Sequence, residues 1–523
     1  MTTKKASKKS TKKAAKRMTK KVAKKAANKP AKKAKKSSKK AASTNVEGEL
    51  RVRMYRIGFG DFFLVTVPTK TGPQHILIDC GVHAGNIGTM KDCVQDLIKV
   101  TNYKLALVIA THYHADHLSG FASNFDEFAK FEVSMVWITN RLDPDNKNAT
   151  KFKAQLRSLA GELQFRLGLR AKGQDENTEE GLATQRALFK VSDALGFDPD
   201  DVQLGAAKKE GSNDKALRLL TTGFANDPPV KYYQGGDTPE FPQSLKGAIT
   251  AELLAPAPID SGGDFSTEDN NAEQYLAAAA EDGLPPDTLR PFDKDWPATA
   301  NDYANSGVFS EYRTEANTQG TPANMQNLLK ASQPDALLAA ADKLDGTLNN
   351  QSLVILFNVN NRKLLFVGDA QWSNWSYWLY GKNVTGKDPG ILDSAKEILG
   401  SVDFYKVGHH GSTNANPIPA VTALNPKCVS MCSTESSDAY PEKKRPYGTL
   451  SKDPNKKGTE VPRVALMEEM EKLTGERLVR SDWIAVQTSS HDVLASPEAK
   501  GQLAKLPPHF EEGELYVDYI FPN

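Results

Sequence analysis

The sequence predicts an α/β protein with a separate basic arm at its N-terminus. Short apolar, β-branched runs such as Phe62 to Val67 and Leu105 to Ala110 alternate with stretches of helical spacing, and Gly, Asn and Asp mark the joints between them. Composition changes abruptly near residue 45. One turn, Thr111-His112-Tyr113-His114-Ala115-Asp116-His117-Leu118-Ser119-Gly120, gathers three of the chain's nine histidines.

A chain of 523 residues can bury a large core, and more than one such unit is possible. No stretch approaches the roughly 18 consecutive apolar residues of a membrane-spanning helix. The N-terminus lacks the apolar segment of a secretory signal, so a soluble, cytoplasmic protein is expected. Cys80, Cys93, Cys428 and Cys432 are too few for a disulfide framework, which fits a reducing compartment. Ordinary buried cysteines are the expectation; a thiol pair at Cys428 and Cys432 is the alternative.

Residues 1 to 44 hold 19 of the 67 Lys and Arg and no acidic residue, which leaves 48 basic against 64 acidic residues, a formal net of −16, for the remainder. Packed like charges and almost no bulky apolar side chain predict that this arm is disordered alone. Its paired lysines, Lys4, Lys5, Lys8, Lys9, Lys12, Lys13, Lys20, Lys21, Lys24 and Lys25, are candidate nucleic-acid contacts. The arm resembles the lysine-rich tails of histone H1-like and bacterial nucleoid proteins. That resemblance implies non-specific binding driven by counterion release, and association with a nucleoid. The other readings are a solubilising tail, a targeting peptide, or attraction to an anionic membrane.

From residue 48 the elements run in order. Leu50 to Tyr55 alternates as a strand, Ile57-Gly58-Phe59-Gly60-Asp61 turns, Phe62 to Val67 is a strand, and His75 to Ile78 is another ending in Asp79-Cys80-Gly81. A helix over Thr89 to Val100 precedes the strand Tyr103 to Ala110, which delivers the histidine turn; helical spacing follows from Phe121 to Phe131, and a strand from Phe131 to Thr139. Residues 141 to 244 and 259 to 348 are long polar inserts, with helices expected over Lys151 to Leu169 and Glu179 to Leu195; they either cover a site or are poorly ordered decoration. Lys246 to Leu254 is a strand between them, leaving through Ala255-Pro256-Ala257-Pro258. Leu353 to Phe357, a turn at Asn360-Asn361, and Lys363 to Val367 form a hairpin ending in Gly368-Asp369. Trp372, Trp375 and Trp378 at helical spacing are read as core. Val402 to Val407 leads into Gly408-His409-His410-Gly411-Ser412. A strand over Lys427 to Cys432, a helix over Arg463 to Leu473, and strands at Ile484 to Gln487 and Leu515 to Phe521 close the chain.

The histidine turn is suited to metal binding, because a rigid strand fixes where it begins and its short span makes the side chains converge. His112 and His114 can point toward one cation, Asp116 and His117 toward a second; imidazole and carboxylate suit zinc and its first-row neighbours. His75, His83, His491 and His509 are read as ordinary surface or packing residues.

The pattern His-x-His-x-Asp-His resembles the signature of the metallo-β-lactamase fold, a four-layer αβ/βα sandwich. The strand, Gly-x-Gly-Asp turn, Ile-Asp-x-Gly, hairpin-Gly-Asp and His-His-Gly-Ser order, scattered over residues 48 to 490, is similar to the metallo-β-lactamase domain of ComEC-type DNA-uptake proteins, without their membrane channel. The resemblance implies one or two divalent ions, Zn or Mn. It makes Asp79 a support of the metal loop, Asp369 a carboxylate bridging both ions, His410 a ligand of the second, and His409 an acid or hydrogen-bond donor beside the substrate. The chain departs from the pattern in two places. The His of the family's Tyr-Gly-His-Pro is missing after Tyr440-Pro441, and no histidine lies between His117 and His409 to give the first ion a third imidazole, so Asp369, water or an unforeseen carboxylate must complete it. The implied activity is a metal-dependent phosphodiesterase or nuclease in which Asp116 orients water. The alternatives are a hydrolase of a small ester, phosphocholine or lactam-like substrate, and a non-catalytic nucleoid-associated DNA-binding protein.

Overall fold

In the computed structural model the chain divides into two units, Met1–Asn45 and Val46–Asn523. The described residues are 48–82, 90–175, 178–196, 211–258, 334–381, 390–435, 461–475, 477–482, 487–488, 491–492 and 506–522, all in the second unit. The lysine contacts, most of the second insert, His83 and Tyr440-Pro441 lie outside them.

Strands β1 (Arg51–Tyr55), β2 (Phe62–Val67) and β3 (Gln74–Cys80) are followed by helix α1 (Met90–Thr101). The strand expected over Tyr103 to Ala110 is two, β4 (Lys104–Leu105) and β5 (Leu107–Ala110), and the one over Phe131 to Thr139 is likewise β6 (Glu132–Val133) and β7 (Val136–Thr139). The first halves pair with each other as a separate small ladder. Helix α2 (Ala115–Ser123) begins earlier than the spacing suggested, so Asp116 and His117 sit in its first turn; a single turn, α3 (Phe125–Phe128), follows.

In the first insert, α4 (Lys147–Ala171) starts where the Asn146 side chain accepts from the Asn148 and Ala149 amides. Helix α5 (Glu179–Leu195) starts where Thr178 accepts from the Gly181 amide, and it stops at Gly196, whose φ of 69° suits glycine. Helix α6 (Ser212–Thr222), β8 (Val230–Tyr233) and β9 (Ile249–Ala255) complete this part. Strand β8 is a correction to the reading of the insert as helical: it pairs with β7 as the edge of the main sheet. After α7 (Pro334–Asn349) come β10 (Val354–Val359), β11 (Arg362–Phe366), α8 (Trp372–Tyr380), α9 (Asp393–Gly400), β12 (Phe404–Lys406), α10 (Ile418–Ala423), β13 (Val429–Cys432), α11 (Val464–Thr474), β14 (Leu478–Arg480), β15 (Gln487–Thr488), β16 (His491–Asp492), β17 (Phe510–Glu512) and β18 (Tyr516–Ile520).

These strands build an eight-stranded sheet, β17-β18-β1-β2-β3-β5-β7-β8, and a six-stranded sheet, β14-β13-β12-β11-β10-β9. Each sheet is part antiparallel and part parallel. In the first, β3, β5, β7 and β8 run parallel, and in the second, β11 through β14 do. Strand β5 is buried on both faces, which is why Leu107–Ala110 reads as an unbroken apolar run.

Period-two alternation explains the core. Val52, Met54, Phe63, Val65, Ile76 and Ile78 from the first sheet share one apolar cluster with Leu253, Ile355, Phe357, Leu364, Phe366 and Phe404 from the second. The alternate residues Tyr55, Leu64, Leu77 and Val108 pack with Val94 and Leu97 of α1, Phe121 of α2, and residues of α4, α5, α6 and α7. A third cluster joins Val354, Leu356, Leu365 and Tyr405 to Trp372, Trp375 and Trp378 of α8, which are core as read from the sequence, and to Leu466 and Met470 of α11. The described parts of both inserts are therefore packed structure. All four cysteines are buried free thiols, and burial raises the Cys432 thiol to about 12, which removes the reactive-pair alternative. No described helix is long and apolar enough to cross a membrane.

Candidate metal centre

Four parallel strands from the two sheets end at one place. Asp79 lies next to last in β3, Thr111 and the histidines follow β5, Asp369 follows β11, and His409 and His410 follow β12. Groups at the carboxyl ends of parallel strands converge because the strands fix the direction in which each loop leaves the sheet. Asp79, His409 and His410 have φ of 54°, 45° and 53°, a left-handed conformation costly for residues with a Cβ.

The loops also touch backbone to backbone. A Cβ on Gly81 would collide with the His117 amide, and one on Gly60 with the Gly81 carbonyl, so the Gly-Phe-Gly-Asp turn and the Asp-Cys-Gly corner fit against the start of α2 only as glycine. The Asp61 amide donates to the Asp116 carbonyl at 2.9 Å and the Gly81 amide to the Asp61 carbonyl at 3.0 Å.

The Asp79 carboxylate accepts from the Thr111 amide (2.8 Å) and hydroxyl (2.7 Å) and meets His117 Nδ1 at 2.7 Å. Its role is thus to orient the turn and leave His117 Nε2 facing inward. Nε2 lies 3.1 Å from Asp369 Oδ2 and 3.9 Å from Asp116 Oδ1. His410 donates Nδ1–H to the Ser433 carbonyl (2.8 Å), while its Nε2 lies 3.0 Å from Asp116 Oδ2 and 3.5 Å from Asp369 Oδ2. His112 Nε2 and His114 Nδ1 are 3.1 Å apart. All of these residues are buried. His409 is the more open member, its side chain 17% exposed, with Nδ1 2.9 Å from Ser412 Oγ and Nε2 3.8 Å from Asp369 Oδ2.

Three participants escape the sequence reading. Lys406, fully buried, ion-pairs with Asp61, lies 3.4 Å from Asp369 Oδ1 and donates to the Gly368 carbonyl at 2.9 Å. A lysine inside the apolar run Phe404 to Val407 was the available signal. Asp61 reads as a turn residue but faces His117 and His410 at 3.7 Å each. Asp193, in α5, has its Oδ2 3.8 Å from His114 Nδ1, and nothing local distinguishes it. Of the remaining histidines, His75 is half-buried beside Thr66 and His509 is exposed.

The electrostatics are those of carboxylates lacking enough positive charge. Five buried aspartates (61, 79, 116, 193, 369) face one buried lysine. Burial works against charge on every group. Even so, Asp369 and the hydrogen bond to Asp116 hold the His410 imidazole up to about 10, and Asp369, Asp79 and Asp116 push His117 well above its usual range. Burial also opposes the charged forms of Asp116 and Asp369, yet both are held low, chiefly by His117 and then His410. Burial, then His117 and His114, lowers His112. Asp61 Oδ1, His114 Nε2, Asp116 Oδ1, His117 Nε2 and Asp369 Oδ2 have no hydrogen-bond partner among the described residues. Five such atoms in one place would cost about 1–3 kcal/mol each. A cation would supply both the missing charge and the missing partners. His112, Asp116, His117 and Asp369 each offer a ligand atom within 4.8 Å of the others, and so do His114, Asp116 and Asp193. These buried clusters could hold a metal ion.

No protein-family model matches the chain, and no curated protein matches it.

Proposed function

We propose that this chain is a metal-dependent hydrolase of metallo-β-lactamase type, resembling the ComEC-type domain, and that it acts as a phosphodiesterase or nuclease on DNA. The observation that carries the reading is the meeting of Asp116 with His410 across 294 residues of sequence, at 3.0 Å, beside His117 and Asp369. Two mixed sheets that share one apolar core, each with helices on its other face, support the four-layer αβ/βα sandwich.

His112 and His114 would hold one divalent ion, Zn or Mn, and Asp116, His117 and His410 a second, with Asp369 between them. Such an ion would bring the pKa of a bound water down to about 7 and would offset negative charge on the group attacked. Asp116, with Oδ2 on His410 and Oδ1 without a partner, can accept a hydrogen bond from the attacking water and orient it. Lys406 fixes Asp369 and Asp61 from behind. The Gln371 amide nitrogen, 3.4 Å from His409 Nδ1, donates to it, so His409 carries its proton on Nε2; burial favours this neutral form, whose Nε2–H can donate a hydrogen bond to a leaving oxygen.

DNA is the proposed substrate because residues 1 to 44 are the basic part of a chain whose remainder is net negative, and counterion release would raise local polyanion concentration. This assignment also places the protein in the cytoplasm, associated with the nucleoid. The test incubates the full chain with single- and double-stranded DNA and Mn²⁺ or Zn²⁺, beside Asp116→Ala and a variant lacking residues 1 to 44. The expected result is cleavage lost in Asp116→Ala, and a flatter salt dependence of DNA binding without the arm. Hydrolysis of small esters alone, or DNA retention without cleavage, would refute the nuclease assignment.

A further inference from the structure

We propose that Asp193, carried by helix α5 of the first insert, is a ligand of the cation held by His112 and His114. The inference rests on the metal-dependent reading of this site and extends it to an element outside the strand-end loops.

Asp193 lies in the last turn of α5 and is buried, as are Ala187, Val191 and Ala194, which seat the helix in the apolar cluster under the first sheet. Its Oδ1 accepts the Ala115 amide, the first of α2, at 3.0 Å. Asn213 Nδ2 donates to both the Asp193 carbonyl (2.9 Å) and the Tyr113 carbonyl (3.3 Å), fastening the end of α5 to the histidine turn. These bonds direct Oδ2 toward His114 Nδ1, at 3.8 Å, and His114 Nδ1 is 3.1 Å from His112 Nε2. Ligand atoms bound at about 2.0–2.2 Å to one zinc-like ion lie roughly 3–4 Å apart, so both separations fit a shared cation.

Oδ1 caps α2, and Oδ2 of the same carboxylate faces His114 Nδ1. A further atom points to a ligand: Asp116, a member of the same group of three, has a buried Oδ1 without a hydrogen-bond partner among the described residues. With Asp193 the first position has two imidazoles and at least one carboxylate, an oxygen-richer set than three imidazoles, which moves its preference from zinc toward manganese. The insert then becomes a structural part of the centre.

The test is metal binding by the full-length chain, stripped of ions and titrated with Mn²⁺, followed by calorimetry and by metal content after dialysis. Wild type should take two equivalents. Asp193→Asn keeps an acceptor for the Ala115 amide, so it should retain one equivalent at unchanged affinity, which also reports a folded centre, and lose the other by roughly 100-fold or more. Asp193→His should restore two equivalents with zinc. If Asp193→Asn takes both equivalents within threefold of wild-type affinity, Asp193 is only a cap, and the inference falls while the metal centre stands. If wild type takes no ion at all, both fall together.

Discussion

Replacing Lys406 by methionine removes one charge while nearly conserving volume, and the effect can be worked from its surroundings. Nζ lies 3.4 Å from Asp369 Oδ1 and pairs more closely with Asp61, in a side chain only 1% exposed. At an effective dielectric near 20, one pair at 3.4 Å is worth roughly 5 kcal/mol before desolvation. Breaking a buried pair from one side costs about 3–5 kcal/mol net, because the partner carboxylate stays buried. Without divalent ions, Lys406→Met should therefore melt roughly 3–5 °C below wild type in a thermal scan. The variant site is more negative, so added Mn²⁺ or Zn²⁺ should bind it more tightly and narrow the gap. A variant that melts with wild type in chelator, or a gap indifferent to the cation, would refute the charge-deficit account of the site.

Gly81→Ala drives a Cβ into the His117 amide and the Asp116 carbonyl carbon; it should cost about 1–3 kcal/mol and weaken cation binding, and unchanged melting and binding would show the loops to be loosely fitted. His75, lowered to about 4 by burial and then by Arg53, stays neutral in the fold while the unfolded chain protonates near 6.5. Its contribution is therefore fully present above pH 6.5 and is lost as pH falls toward 4. Discounted for partial exposure, the loss is about 1–2 kcal/mol, and His75→Gln should lessen acid destabilisation by that amount; superimposable stability curves for the two proteins would contradict it.

The residues of the centre that are legible in sequence are those whose type and spacing carry the chemistry by themselves. His112 to His117, Asp369 and His410 each follow a recognisable strand, so a local pattern locates them. Asp61 is hidden because an aspartate in a glycine turn needs no other explanation, and Lys406 because its partner Asp61 is distant in sequence. Asp193 sits in a helix whose apolar spacing is unremarkable; only packing of that helix against Ala115 and Asn213 brings it in. The same limit applies to the fold. Strand β8 has four residues in a polar insert and exists because β7 offers an edge. The early start of α2 leaves too few residues before Phe121 for periodicity to register.

The two sheets contribute unequal halves of the cluster. Asp79 and the histidine turn belong to one, and Asp369, Lys406 and His410 to the other. A cation there would act as a rivet across the seam between them. Its withdrawal should then be felt first as parting along that join, with protease cuts and amide exchange appearing where the strand-end loops face each other, while each sheet keeps its own ladder of hydrogen bonds.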